Sequence, residues 1–296
     1  MEKIDLSKYR LSGEGANGYS YDSLSNPLEM VKIYNVGYQL EPIYEELEVA
    51  EKVYSFGIPT PKPGELVTDG ERVGIRFHRI VGKRSYSRML ADEPDRVDEF
   101  SREFTRLYKK LHAKSCPEGM FPDVKQQYRL FLEQDKAFTP AQKKTVAAFI
   151  DSVPDMHFCL HGDMHIGNVI STLPHGADLS VPHELYFIDI GCFGCGNPLF
   201  DIGMHQQVCL YADEDFRKHD FHVGIDITRK FWDSFVDEYF FAEDDLATRY
   251  FGPGQTPESV EKALKPYMCC KYLFIEYCMG FMPELLHTIF KDTFNF

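Results

Sequence analysis

The chain has 296 residues, 44% of them apolar and 26% charged, with a formal net charge of −14. This length permits a large core, in one big domain or two lobes, and the composition is that of a globular protein. The acidic balance argues against a nucleic-acid partner, whose phosphates would be repelled.

The first part of the chain reads as strands around one helix. Tyr9–Ser12, Tyr19–Ser23 and Leu28–Tyr34 are strand-like runs, the first two separated by Gly13-Glu14-Gly15-Ala16-Asn17-Gly18. Pro42–Phe56 repeats apolar residues at Ile43, Leu47, Ala50, Val53 and Tyr54, which is helical spacing. Pro42 suits a first turn and Gly57 a stop. Glu65–Thr68 and Arg72–Ile80 form an expected hairpin around Asp69-Gly70. Past Gly82 helices dominate. Asp95–His112 gathers Val97, Phe100, Phe104, Leu107 and Leu111 on one face, and Thr139-Pro140 offers an N-cap and a first-turn proline. The apolar stretch Tyr267–Phe290 is broken by Lys271, Glu276 and Glu284, which fits a buried helix pair. No uncharged run approaches the ~20 apolar residues of a membrane span. The expected organisation is a β-rich lobe over residues 1–81 and a larger, mainly helical lobe over residues 82–296.

Met1–Lys8 lacks the apolar core of a signal peptide. The eight cysteines are therefore expected as reduced thiols in a cytoplasmic protein. Cys192-Phe193-Gly194-Cys195 is a single CxxC, and no second pair stands at finger-like spacing to complete a structural zinc site. The role of Cys192 and Cys195 is left open.

Two loops carry the chemistry. His161-Gly162-Asp163-Met164-His165-Ile166-Gly167-Asn168 follows the apolar Phe158-Cys159-Leu160, and Asp189-Ile190-Gly191 follows Leu185–Ile188. Phosphoryl transfer needs one carboxylate to orient the acceptor hydroxyl and take its proton. It also needs an amide and a second carboxylate to hold Mg²⁺ on the phosphates. Either loop alone would read as acids capping strand ends; together they point to an ATP-dependent phosphotransferase. Gly13-x-Gly15-x-x-Gly18 precedes a strand-like run and no helix, so it suits a hairpin tip over nucleotide phosphates better than a dinucleotide fold. Lys32 alternates with Val31 and Ile33 and so faces away from them, toward solvent or a cleft. A phosphate-binding lysine wants a carboxylate on the next helix. Glu45, Glu46, Glu48 and Glu51 compete for that place, with Glu48 the expected partner and Glu45 next.

These residues resemble the aminoglycoside phosphotransferase and choline kinase family, in order from the glycine loop to about Gly203; the remainder matches only in being helical. The resemblance implies an α+β, bilobal protein-kinase-like fold, with ATP and Mg²⁺ as cofactors. By it, Asp163 is the catalytic base, Asn168 and Asp189 hold Mg²⁺, and Gly13, Gly15, Gly18 and Lys32 hold phosphates. Arg79, Ile80 and Val81 would lie at the hinge against adenine. His161 would brace the catalytic loop, as would Asp201 in Asn197-Pro198-Leu199-Phe200-Asp201. His165 is either near the acceptor or simply packed.

Gly162 stands where protein kinases carry an arginine, and the short run from Asp189-Ile190 to Pro198 leaves little room for an activation segment. Both departures favour a small-molecule hydroxyl acceptor, aminoglycoside-, amino alcohol- or metabolite-like, over a protein kinase. A nucleotide-binding scaffold without turnover is the alternative from another class, and retention of the base and both metal ligands counts against it. The acceptor is not named by the sequence. Acids at Asp213-Glu214-Asp215, Glu238 and Glu243-Asp244-Asp245 would suit a polyamine. Aromatics at Tyr211, Trp232, Tyr239, Phe240, Tyr267, Tyr272 and Tyr277 would suit a quaternary ammonium. Solvated helix ends and an aromatic core account for the same residues, so neither pattern decides.

Overall fold

A computed structural model describes residues 1–15, 17–242, 244–279 and 284–296. The chain begins with β1 (Glu2–Lys3), β2 (Tyr9–Gly15), β3 (Gly18–Ser23), β4 (Glu29–Tyr34), α1 (Leu40–Ser55), β5 (Pro63–Thr68), β6 (Val73–His78) and β7 (Arg84–Ser85). Next come α2 (Tyr86–Asp92), α3 (Val97–His112), α4 (Val124–Gln134), α5 (Pro140–Ser152), β8 (Phe158–Leu160), β9 (Val169–Ser171), β10 (Leu185–Phe187) and β11 (Gly194–Gly196). It ends with α6 (Leu199–Gln206), α7 (Glu214–Phe216), α8 (Ile225–Val236), α9 (Leu246–Phe251), α10 (Pro257–Met279) and α11 (Glu284–Phe294).

These elements form two compact units, Met1–Ser85 with Asn168–Gly191, and Tyr86–Gly167 with Cys192–Phe296. The first break falls after Ser85 instead of Val81. The first unit also takes in a later segment, because β9 pairs antiparallel with both β10 and β7.

The first unit is built on a six-stranded sheet in the order β1-β5-β6-β4-β3-β2. Alternation along β4 sends Val31 and Ile33 into a cluster with Ile4 and Val67. Tyr34 points to the other face, where it packs with Ile43 of α1 and Ile75. Lys32, two residues before Tyr34, shares that α1-facing side. The strand expected to end at Ser12 runs on through the glycines to pair Gly15 with Gly18. Gly18 is required by packing: a Cβ there would lie 2.8 Å from the Tyr34 Cα on the neighbouring strand. Helix α1 starts at Leu40, ahead of the expected Pro42. The proline still sits in the first turn, where no intrahelical N–H is needed. The hairpin between β5 and β6 is closed by the Asp69 carboxylate, which accepts from the Glu71 and Arg72 backbones.

The second unit is mainly helical. Phe100, Phe104, Tyr108 and Leu111 form the buried stripe of α3. The N-terminus of α5 carries a full capping box, in which Thr139 accepts from the Gln142 backbone and Gln142 returns the bond, with Pro140 next. Three single π-helical turns, Gln207–Tyr211, Arg217–Phe221 and Asp237–Phe241, extend helices of this unit. Contrary to the expectation of eight reduced thiols, Cys116 is disulfide-bonded to Cys195, Cα to Cα 5.8 Å. The segments that carry them both border β8: Ser115 bridges to Phe158, and Gly196 pairs with the same residue. Cys159, Cys209, Cys269 and Cys270 are buried free thiols. Among the described residues, no helix is long and apolar enough to cross a membrane.

Candidate active site

In the first unit, β9 and β10 form a short antiparallel ladder with Val169 opposite Phe187. Asn168 immediately precedes it, and its carbonyl accepts from the Ile188 backbone N–H at 2.9 Å. Asp189 is the next residue, so the amide and the carboxylate emerge at the same end of the ladder. Asp189 adopts φ +56°, the left-handed region that a non-glycine residue rarely enters, so the chain turns sharply where the carboxylate is presented.

Lys32 meets this end of the ladder. Its ammonium lies 2.7 Å from Glu46 Oε1 and 3.0 Å from Asp189 Oδ1. Burial acts to lower the lysine's pKa, but the two carboxylates outweigh it and hold the group above its ordinary value. Glu46, not the expected Glu48, is therefore the partner of Lys32. The helical period decides between them: Glu48 points outward and pairs with Lys52 one turn on, at 2.7 Å. Glu46 lies on the inward side, its Cγ 3.4 Å from where a Cβ on Gly191 would be.

Gly13 and Gly15 meet no close obstacle, so their freedom from side chains is not demanded by packing. Arg79 follows β6, and its side chain is committed to the sheet, 2.8 Å from Asp22 Oδ2 and 3.2 Å from the Pro27 carbonyl. Ile80 is half-buried and Val81 is exposed.

In the second unit, β8 delivers the His161–Gly167 loop, and Asp201 of α6 holds its start. The two Asp201 oxygens accept from the backbone N–H of His161 at 2.7 Å and of Gly162 at 2.8 Å. Asp201 is buried, as is His112, whose Nε2 is 3.1 Å from Asp201 Oδ2. His161 is wholly buried, and its Nδ1 faces the Asp163 backbone N–H at 3.3 Å. Gly162 has φ +79°, and any Cβ would collide with the Cys192 carbonyl carbon at 2.7 Å, which excludes the arginine of protein kinases.

Asp163 itself is about a quarter exposed. Its Oδ1 lies 3.1 Å from the Lys271 ammonium of α10, and its Oδ2 lies 3.4 Å from His165 Nε2. Burial acts to raise its pKa, but Lys271, His165 and His161 together hold it well below the usual carboxylate range. His165 is packed as well as close to Asp163: its ring sits 5.1 Å from that of Phe221, and its Nδ1 accepts from the Gly167 N–H at 3.0 Å.

Most of the acids and aromatics that left the acceptor open have structural partners. Asp213 caps α7, Asp245 caps α9, and Glu214 pairs with Arg217 and Lys218. Glu238 pairs with Arg106 at 2.7 Å and Asp244 with Lys109 at 2.9 Å. Trp232, Tyr239, Phe240, Tyr267 and Tyr272 are buried in the core, while Tyr277 is exposed. Glu243 lies outside the described residues.

A family model described as "Phosphotransferase enzyme family" (APH) matches residues 29–249. The chain belongs to this family. The phosphotransferase is also similar in fold to solved structures. An aminoglycoside-3'-phosphotransferase of type VIII matches with a TM-score of 0.57 at 17% identity, over 90% of this chain and 93% of that one. ADP-bound APH(2'')-Ib matches at 0.54 and 15%, over 97% and 91%. The gentamicin complex of APH(2'')-IIa matches at 0.55 and 15%, over 99% and 97%. The curated proteins contain no match to the sequence. The α+β, kinase-like fold expected from the sequence is thus the fold of the phosphotransferase.

Two residues of the candidate site are not singled out by the sequence. Glu46 is one of four candidates, ranked behind Glu48 and Glu45, and only the phase of α1 against β4 separates them. Lys271 does leave a signal in the sequence: a lysine inside an apolar run excludes a membrane span. The same observation implies a buried cation, and a buried cation requires a partner.

Proposed function

We propose that this phosphotransferase moves the γ-phosphate of ATP, with Mg²⁺, onto a hydroxyl of a small molecule, with Asp163 as the base. The observation that carries the reading is the loop His161–Gly167. It is fixed through its backbone by Asp201 and presents one partly exposed carboxylate kept in its charged form. A group that must orient a hydroxyl and then receive its proton has to be ionised and aimed beforehand.

In the proposed reaction the acceptor O–H gives its proton to Asp163. The oxygen forms a bond to the γ-phosphorus, and the bond from that phosphorus to the β–γ bridging oxygen breaks, releasing ADP. Lys32, oriented by Glu46, would neutralise the α- and β-phosphates. Gly13 and Gly15 would let the hairpin backbone approach them, and residues Arg79, Ile80 and Val81 would offer backbone groups to adenine. Asn168 and Asp189 fit a hard divalent cation: they are an amide and a carboxylate oxygen donor, brought to one end of a ladder. Bound Mg²⁺ would offset charge on the phosphate oxygens. The neighbours in fold are named for aminoglycosides, and the ADP of one of them agrees with a nucleotide donor.

The acceptor class proposed is an aminoglycoside, amino alcohol or comparable metabolite. The test is Mg²⁺-dependent ADP release across a panel of aminoglycosides, amino alcohols, sugars and nucleosides, with Asp163→Asn as control. Release that needs one acceptor and vanishes in the variant supports the reading. Equal release by the variant would refute it.

A further inference from the structure

Helix α10 sends one charged side chain into the core of the second unit. Lys271 is 2% exposed, and its ammonium is 3.1 Å from Asp163 Oδ1 and 2.8 Å from the Gly162 carbonyl oxygen. The Phe274 ring lies beneath it, 4.0 Å from ammonium to centroid. A buried ammonium is costly unless paired and hydrogen-bonded, so a lysine retained here needs the loop it grips. The grip is specific. Lys271 takes Oδ1 and the carbonyl one residue earlier, which fixes both the position and the rotation of the carboxylate. Oδ2 faces His165 Nε2 at 3.4 Å, on a side chain that is about a quarter exposed.

We infer that Lys271 is a positioning residue of the transfer reaction. It clamps Oδ1 of Asp163 so that Oδ2 is the oxygen that meets the acceptor hydroxyl and takes its proton. The inference rests on the reading of Asp163 as the base and adds a requirement that reading does not contain. A second helix, far along the chain from the motif loops, completes the base. Lys271 acts through Asp163 and not on the acceptor, because its ammonium is buried against the carboxylate. Its ion pair also supports the charged form of Asp163. Burial of the carboxylate opposes that form, while Lys271, His165 and His161 are the cations and titratable groups that face it and favour it. Burial likewise acts to lower the lysine's own pKa, and Asp163, with Cys192 and Asp201, more than restores it.

The test uses the whole chain with MgATP and water as the acceptor, so that no natural alcohol has to be known. Rates of ADP release are followed against pH for wild type, Lys271→Met and Lys271→Arg. We expect Lys271→Met to lower the rate ten- to a hundredfold, as misplacement by about an ångström does. We also expect its acid limb to move up by at least one pH unit, with the KM for MgATP within twofold. Lys271→Arg keeps the charge and should keep the limb low even where its rate falls. A Lys271→Met profile that keeps its rate and its acid limb would overturn the inference.

Thermal unfolding of Lys271→Met, Asp163→Asn and the double variant supplies a reading independent of turnover. The lone Lys271→Met change strands a carboxylate that is only about a quarter exposed and should lower Tm by about 10 °C. Adding Asp163→Asn should return part of that loss. Strictly additive shifts would remove the pairing on which the inference stands. If instead Asp163→Asn matches wild-type turnover while the Tm coupling is present, the base assignment fails and the clamp is structural only.

Discussion

Gly203 of α6 lies against Met268 of α10 so closely that a Cβ on Gly203 would stand 2.6 Å from the Met268 backbone nitrogen. This contact explains how one short helix serves the His161–Gly167 loop twice. Asp201, two residues before Gly203, binds the loop backbone, while the bare α-carbon of Gly203 admits the helix that carries Lys271. Gly203→Ala must push α10 outward, because backbone atoms cannot rotate away. We expect a loss of about 1–3 kcal/mol in urea unfolding, the usual cost of overpacking, with a fall in turnover. An alanine variant as stable as wild type would show that the two helices are not held at this separation.

The Lys32–Glu46 pair gives a discriminating comparison within one helix. Glu46→Gln should raise the KM for ATP about tenfold, a loss on the scale of one charge-assisted contact. Glu48→Gln removes only an exposed pair with Lys52, of a kind worth ~0.3–0.5 kcal/mol, and should leave KM within twofold. Steady-state kinetics on the two variants reverses this assignment if the order of effects is opposite.

Asp201 accepts two backbone N–H bonds and faces His112, all out of solvent. Asp201→Asn keeps the shape but loses the charge and replaces one acceptor oxygen by a donor. With bonds to charged groups worth ~1.5–3 kcal/mol, the expected destabilisation is about 2–4 kcal/mol. Denaturant unfolding measures it directly; a change below about 0.5 kcal/mol would mean that the loop does not depend on this carboxylate.

Glu276 of α10 supplies a pH dependence of stability. Burial first, then the neighbouring Asp135 carboxyl, push its pKa up to about 7, with Lys143 opposing. An acid whose folded-state pKa is raised holds its proton longer when folded than when unfolded. Its contribution is complete below the unfolded value near 4.5, shrinks as pH rises toward 7, and is gone above it. Glu276→Gln, which stays neutral, should therefore gain stability over wild type as pH goes from 5 to 8. Melting temperatures at those two values test it, and a Gln variant whose advantage is constant or larger at pH 5 would contradict the shift.

The parts of this molecule legible in its sequence are those governed by local rules. The period of Val31 and Ile33 along β4, the Asp69-Gly70 turn, and the Thr139-Pro140 cap each follow from a few adjacent residues. So does the family: the spacing within His161–Asn168 and the return at Asp189 are enough to suggest it. What stayed hidden depends on elements distant in sequence. Glu46 is chosen over Glu48 by how α1 lies across β4, and the Cys116–Cys195 bridge by two segments that border β8. Lys271 meets Asp163 only because Gly203 lets two helices close. The acidic and aromatic clusters failed as guides to an acceptor for a related reason. Capping, ion pairing and core packing had already used the side chains that composition made conspicuous.

One paired measurement decides whether Asp163 is the base of a phosphoryl transfer. ADP release with MgATP and a productive acceptor is compared for wild type and Asp163→Asn, with ATP affinity measured on both. If Asp163 is the base, the rate falls at least a hundredfold, the scale of a positioned general base, with ATP affinity unchanged within about twofold. Undiminished release by Asp163→Asn would contradict it.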